Sequence, residues 1–183
     1  MVCGSADAFR ALTSWMQALQ FGGRCSIMAT FTAFDVSFFR EEMIMEQEVT
    51  RITSFSINHD VLLPGLYVSR VDGDVTTYDM RTRRPNTGDL MDNSTMHSLE
   101  HMFATYIRNG DLKDSVVYFG PMGCQTGFYL LVRNADNAEV LRQVRLTLMK
   151  ILAHEGPVFG ASSRECGNYR NLSLAAAKTE AKR

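Results

Sequence analysis

The sequence predicts an α+β domain in which a largely antiparallel β-sheet packs against helices. Two patterns point to that class. Runs rich in β-formers come in two pairs, each joined by a short turn-forming segment. Stretches with helical periodicity lie between the pairs and after them. A third observation sets the scale: 183 residues, 45% of them apolar, suffice for one domain with a single buried core.

Each element follows from local chemistry. Phe9, Leu12, Met16 and Leu19 are spaced along one face of a helix, and Gly22-Gly23 ends it. Cys25 to Phe39 is apolar and small-residue rich, with Asp35 its single charge and no clean period. Composition shifts near residue 45, so 1–44 reads as an N-terminal extension of unassigned role and 45–183 as the patterned domain. Ile52 to Asn58 reads as a short strand. Gly65 to Arg70 and Val75 to Arg81 form a hairpin around Asp72-Gly73. Arg83-Arg84-Pro85-Asn86 breaks the second strand. A helix is expected near Thr95 to Asn109, with capping side chains at Asn93, Ser94 and Thr95 and Gly110 beyond its end. Ser115 to Phe119 and Thr126 to Val132 pair around Gly120-Pro121-Met122-Gly123. A second helix runs from Asn137 to His154, with Val140, Leu141, Val144, Leu148, Ile151 and Leu152 on one side. A last helical run closes the sequence.

Composition excludes several classes. Lys and Arg total 19 against 20 Asp and Glu, without the basic excess of a protein that binds nucleic acid electrostatically. No run of 18 apolar residues free of charge is present, so no membrane-spanning helix is expected. The N-terminus lacks the pattern of a secretory signal, and a cytoplasmic protein is the expectation. Cys3, Cys25, Cys124 and Cys166 are too scattered for a disulfide framework or a zinc knuckle.

The first helix of the patterned domain has two faces. At about 100° per residue, with His97 at zero, His101 falls near 40° and Glu100 near −60°. Leu99, Met102, Phe103 and Tyr106 gather on the opposite side, at roughly 140° to 240°. Two imidazoles at i and i+4 can bind one metal, and Glu100 beside them can reach a substrate proton. The bland alternative is a solvated polar face. The His-x-x-Glu-His string is also that of inverzincin peptidases, so alone it leaves the chemistry open.

Two cysteines narrow it. Cys124 stands in Gly120-Pro121-Met122-Gly123-Cys124-Gln125-Thr126-Gly127, where small neighbours leave room for a ligand; burial as a structural thiol is the commoner fate of a lone cysteine. Cys166, in Arg164-Glu165-Cys166-Gly167-Asn168-Tyr169, offers a thiolate as third ligand, leaving one position open as catalytic sites require. Glu165 is the peptidase-like alternative to it.

Over residues 45–183 the sequence resembles the S-ribosylhomocysteine lyase family, the bacterial autoinducer-2 synthases. Five blocks in the same order carry the resemblance: Ser54 to His59 with Leu63 to Arg70; Tyr78-Asp79-Met80-Arg81 with Pro85-Asn86; His97 to His101; Gly120 to Gly127; and Glu165 to Tyr169. The resemblance implies that His97, His101 and Cys166 hold one divalent metal, Fe2+ natively with Zn2+ or Co2+ as substitutes. It implies Cys124 and Glu100 as the general acid/base pair, and Ser54, His59 and Arg81 lining the substrate pocket. It further implies a homodimer with active sites at the interface, and cleavage of S-ribosylhomocysteine to homocysteine and 4,5-dihydroxy-2,3-pentanedione. Two departures stand out: 1–44 has no counterpart in the family, and Arg170-Asn171-Leu172 replaces the usual acidic and His pair, next to the proposed metal shell.

Overall fold

A computed structural model describes residues 56–183. The expected strand over Ile52 to Asn58 is not formed at Ser56 to Asn58, where Ser56 and Ile57 make a bend, and its earlier part lies outside the described residues. The first described strand is β1, Gly65–Asp72, followed by β2, Val75–Arg81. Gly73, at φ +60°, sits in the turn between them, in the left-handed region that glycine enters without steric cost. Helix α1 spans Asn93–Arg108. Strands β3, Val116–Pro121, and β4, Gly127–Arg133, form the second hairpin. Helix α2 covers Asn137–Ala153, a 3-10 turn covers Tyr169–Asn171, and helix α3 covers Leu174–Ala181.

All pairings are antiparallel, in the order β1-β2-β4-β3. The central position of β2 explains its composition. Tyr78 and Met80 enter the core with Phe128 and Leu130 of β4, while Thr77, Asp79 and Arg81 alternate onto the other face. Those three polar residues are also buried. Gly127 permits the β2–β4 pairing at Arg81, because a Cβ there would stand 2.5 Å from the Met80 carbonyl oxygen. Thr126 stays outside β4, since its carbonyl accepts the amides of Thr82 and Arg83 rather than a ladder bond.

The helices cover the apolar face. Leu99, Met102, Phe103 and Ile107 of α1 are fully buried, with Phe103 stacked on Phe119, which in turn stacks on Phe128. The helix starts two residues earlier than its sequence suggests, because Asp92 is the cap and accepts the Thr95 amide at 2.6 Å. In α2 the buried side is Val140, Gln143, Val144, Thr147 and Ile151, whereas Leu141 and Leu152 are exposed. Gln143 replaces an apolar residue there at little cost because its amide donates to Asp111 and Glu139. Helix α3 packs Ala177 and Ala181 into the core, and its buried Glu180 is ion-paired with Arg83 at 2.7 Å.

Candidate active site

His97 and His101 stand on successive turns of α1, on the side turned from the core. Their rings lie 4.6 Å apart and nearly perpendicular. Each Nδ1 meets an oxygen that can only accept: Asn171 Oδ1 at 2.6 Å for His97 and the Phe159 carbonyl at 2.8 Å for His101. An Nδ1–H donated to each oxygen leaves Nε2 as the ring atom that can meet a ligand on the other side. Cys166 Sγ lies 3.3 Å from His97 Nε2 and also accepts the Asn168 amide. The ligating atoms of His97, His101 and Cys166 fall within 4.8 Å of one another. Donors bound about 2.0–2.3 Å from one tetrahedral ion stand roughly 3.3–3.8 Å apart; the Cys166–His97 pair already has that spacing, and a closure of about 1 Å lets the whole set hold a single metal. Glu165 is turned away, its carboxylate accepting the Ser162 hydroxyl at 2.5 Å, so the peptidase-like ligand set is not the one assembled.

A backbone feature shapes the His101 side. Gly160 has φ +69°, and a Cβ there would lie 3.1 Å from His101 Nδ1. Glycine is what lets the chain turn at Phe159 and present its carbonyl to the ring. Glu100 reaches within 3.8 Å of His101 Nε2 through Oε2 and remains partly exposed. With His97 it lines a cavity of about 370 Å³ whose other walls include Met96, Tyr118, Pro121 and Asn168.

The β3–β4 loop builds a second polar group. Gln125 turns the chain at φ +62°, and Met122 accepts its amide while donating its own to Gly127. Cys124 emerges exposed, with Sγ 3.2 Å from Thr126 Oγ1 and 3.5 Å from an Arg81 guanidinium nitrogen. Partial burial pushes the thiol up, but hydrogen bonds from the Thr126 side chain and amide, with the Arg81 charge, outweigh it and hold its pKa below the ordinary thiol value. Burial also works against the Arg81 charge. The paired Asp79 carboxylate, contacting the guanidinium at 2.5 and 3.1 Å, more than offsets it and keeps the arginine pKa above its usual value.

Comparison with known proteins decides the family. The family model described as S-ribosylhomocysteinase (LuxS) matches residues 52–183. The chain belongs to the S-ribosylhomocysteinase family. Among curated relatives, the S-ribosylhomocysteine lyase of Clostridium beijerinckii is 47% identical over 134 residues, covering 70% of this chain and 84% of that protein. Those of Finegoldia magna, 42% identical over 135 residues, and Borrelia garinii subsp. bavariensis, 41% over 136, each cover 71% of this chain and 86% and 87% of their own lengths.

For an S-ribosylhomocysteinase relative, the placement of the expected residues divides in two. His97, His101, Cys166 and Glu100 come together. Cys124 and Arg81 meet each other in the second group, and Cys124 is not among the residues lining the cavity at His97 and Glu100. His59 sits in the turn before β1 with Nδ1 bonded to the Ile57 carbonyl, and it makes no hydrogen bond to either group. Ser54 lies outside the described residues. Nothing in the sequence pattern pointed to the Phe159 carbonyl; Asn171 was marked only as part of the Arg170-Asn171-Leu172 departure beside the metal shell, not as the partner of His97. Asp79 had a readable signal, standing two residues from Arg81 and thus on the same side of an extended strand, whereas Thr126 meets Cys124 across the turn at Gln125.

Proposed function

We propose that this chain cleaves the carbon–sulfur bond of S-ribosylhomocysteine, releasing homocysteine and 4,5-dihydroxy-2,3-pentanedione, the autoinducer-2 precursor. What supports the reading most is the convergence of His97, His101 and Cys166 on one ligand-sized gap in a chain of the S-ribosylhomocysteinase family. His97, His101 and Cys166 would hold one divalent ion, Fe2+ in this proposal, which would supply Lewis acidity toward the sugar oxygens.

The residues then divide the proton work. Cys124 and Glu100 serve as the acid/base pair. Moving a proton from C2 to C1 shifts the carbonyl to C2, and moving one from C3 to C2 shifts it to C3. Removal of the C4 proton sends its electron pair into a C4–C5 double bond as C5–S breaks. The sulfur leaves with the C5–S electron pair and takes one proton as homocysteine, and the C4 enol left behind gives up its hydroxyl proton while C5 takes one, which makes the methyl ketone of 4,5-dihydroxy-2,3-pentanedione. The lowered thiol pKa suits this role, since a base must be deprotonated at neutral pH before it can act. Arg81 supports it by facing the sulfur, and Ser54 and His59 are assigned to substrate binding. Cys124 lies apart from the His97–Glu100 cavity, and a homodimer with sites built from both chains would bring them onto one substrate. A reducing, cytoplasmic setting suits Cys124 and Cys166, the free thiols among the described residues.

Release of free homocysteine tests the reading. Iron-loaded protein, handled anaerobically with S-ribosylhomocysteine, should yield a thiol detectable by a chromogenic reagent, and Cys124→Ala should yield none. Metal-loaded protein that releases no thiol would overturn it.

A further inference from the structure

The two histidines are held in different ways. His101 donates to a main-chain carbonyl, whereas His97 depends on a single side chain, Asn171. That side chain is itself fixed. Its Nδ2 donates to Asn93 Oδ1 at 2.6 Å, which requires Oδ1 to be the atom facing His97. Its backbone is fixed as well, with the Asn171 carbonyl accepting the Ser94 hydroxyl at 2.5 Å. Asn93 and Ser94 belong to the first turn of α1, one turn before His97, so the relay returns to the helix that carries the ligand.

We propose that Asn171 is a positioning residue for the metal site. Through the chain Asn93 to Asn171 to His97 it sets the tautomer and ring angle of His97, so that Nε2 faces Cys166 and the ion. This rests on the reading of His97, His101 and Cys166 as the metal ligands. The amide supplies a neutral acceptor. A carboxylate in its place would accept the same Nδ1 proton more strongly and make the imidazole a better donor to the ion. An apolar residue would leave Nδ1 without a partner and free the ring to turn.

The test is metal affinity, read apart from turnover. Metal-free, reduced protein is titrated with Co2+ alone and with Zn2+ against a chromophoric chelator, and the thiolate-to-Co2+ absorption band is recorded. Asn171→Leu should weaken both metals by about ten- to a hundredfold and shift the band, and Asn171→Asp should restore or exceed native affinity. Should Asn171→Leu fail to fold, Asn93→Ala gives the same comparison, since it frees the amide without changing the residue at His97; a several-fold loss is expected. Unchanged affinity in the folded variants overturns the proposal, and so does an equal loss in Asn171→Leu and Asn171→Asp. Native protein that binds neither metal overturns instead the ligand assignment beneath it.

Discussion

At Cys124, burial and hydrogen bonding pull the thiol in opposite directions, and hydrogen bonding wins through Thr126 and Arg81. The thiolate is the form both donors stabilise, so removing either raises the pKa. Arg81 is a poor position at which to test this. Its loss would leave Asp79 buried without its charge partner, at a cost of about 3–5 kcal/mol in stability. Thr126→Val keeps the Asp79–Arg81 ion pair while removing the hydroxyl that meets Cys124 and accepts an Arg81 N–H at 2.6 Å. Alkylation of Cys124 by iodoacetamide, followed across pH by peptide mass spectrometry, should show a midpoint below the usual thiol value, and Thr126→Val should move it upward. A native midpoint at or above that value would contradict the assigned role. The same scale shows where sequence reading stopped. The His-x-x-Glu-His spacing puts two imidazoles and a carboxylate together within one helix, so it is visible locally. Asn171 and Phe159 lie 74 and 58 residues from the histidines they hold, and no periodicity links such distant positions.

Among the elements, both hairpins and both longer helices were legible, because strand alternation, turn chemistry and helical periodicity agreed there. The disagreements have physical reasons: an Asp92 cap earlier than the Asn93–Thr95 cluster, and a buried amide in α2 satisfied by neighbouring carboxylates. Gly160 gives a prediction at this scale, with Gly156 as its control. Both adopt positive φ, yet a Cβ at Gly156 meets nothing within 4 Å while one at Gly160 meets His101. Alanine at either position should cost about 1–2 kcal/mol in urea unfolding through backbone strain. Only Gly160→Ala should also weaken Co2+ binding, because it displaces the Phe159 carbonyl from His101. Equal Co2+ affinity in the two variants would show that the carbonyl contact does not matter.

For the molecule as a whole, no described helix is long and apolar enough to cross a membrane. The sheet face turned from the helices carries a buried polar row, Thr77, Asp79 and Arg81, with Tyr67 and Tyr129 abreast of Asp79 on either side. Val71, Val117 and Tyr118 are exposed on the outer strands β1 and β3. If two chains complete each site, light scattering on the eluted protein should give twice the 20.6 kDa chain mass. Glu100→Gln and Cys124→Ala, each inactive alone, should then regain partial homocysteine release when unfolded and refolded together. A mixture as inactive as its parts would place both groups within one chain.

The ion pair of Asp79 and Arg81 spans two residues, and β1 joins β2 through a tight turn, so this half of the sheet can form by closing almost no loop. Hairpins of this kind assemble in about 1–10 μs. The metal site stands at the other extreme, since Cys166 and His97 are 69 residues apart. Its three donors converge only once the second hairpin, α2 and the segment after it have all docked. Metal uptake thereby reports on long-range docking: the β1–β2 hairpin needs almost no loop closure, whereas these donors can bind an ion together only after contacts 69 residues apart have formed.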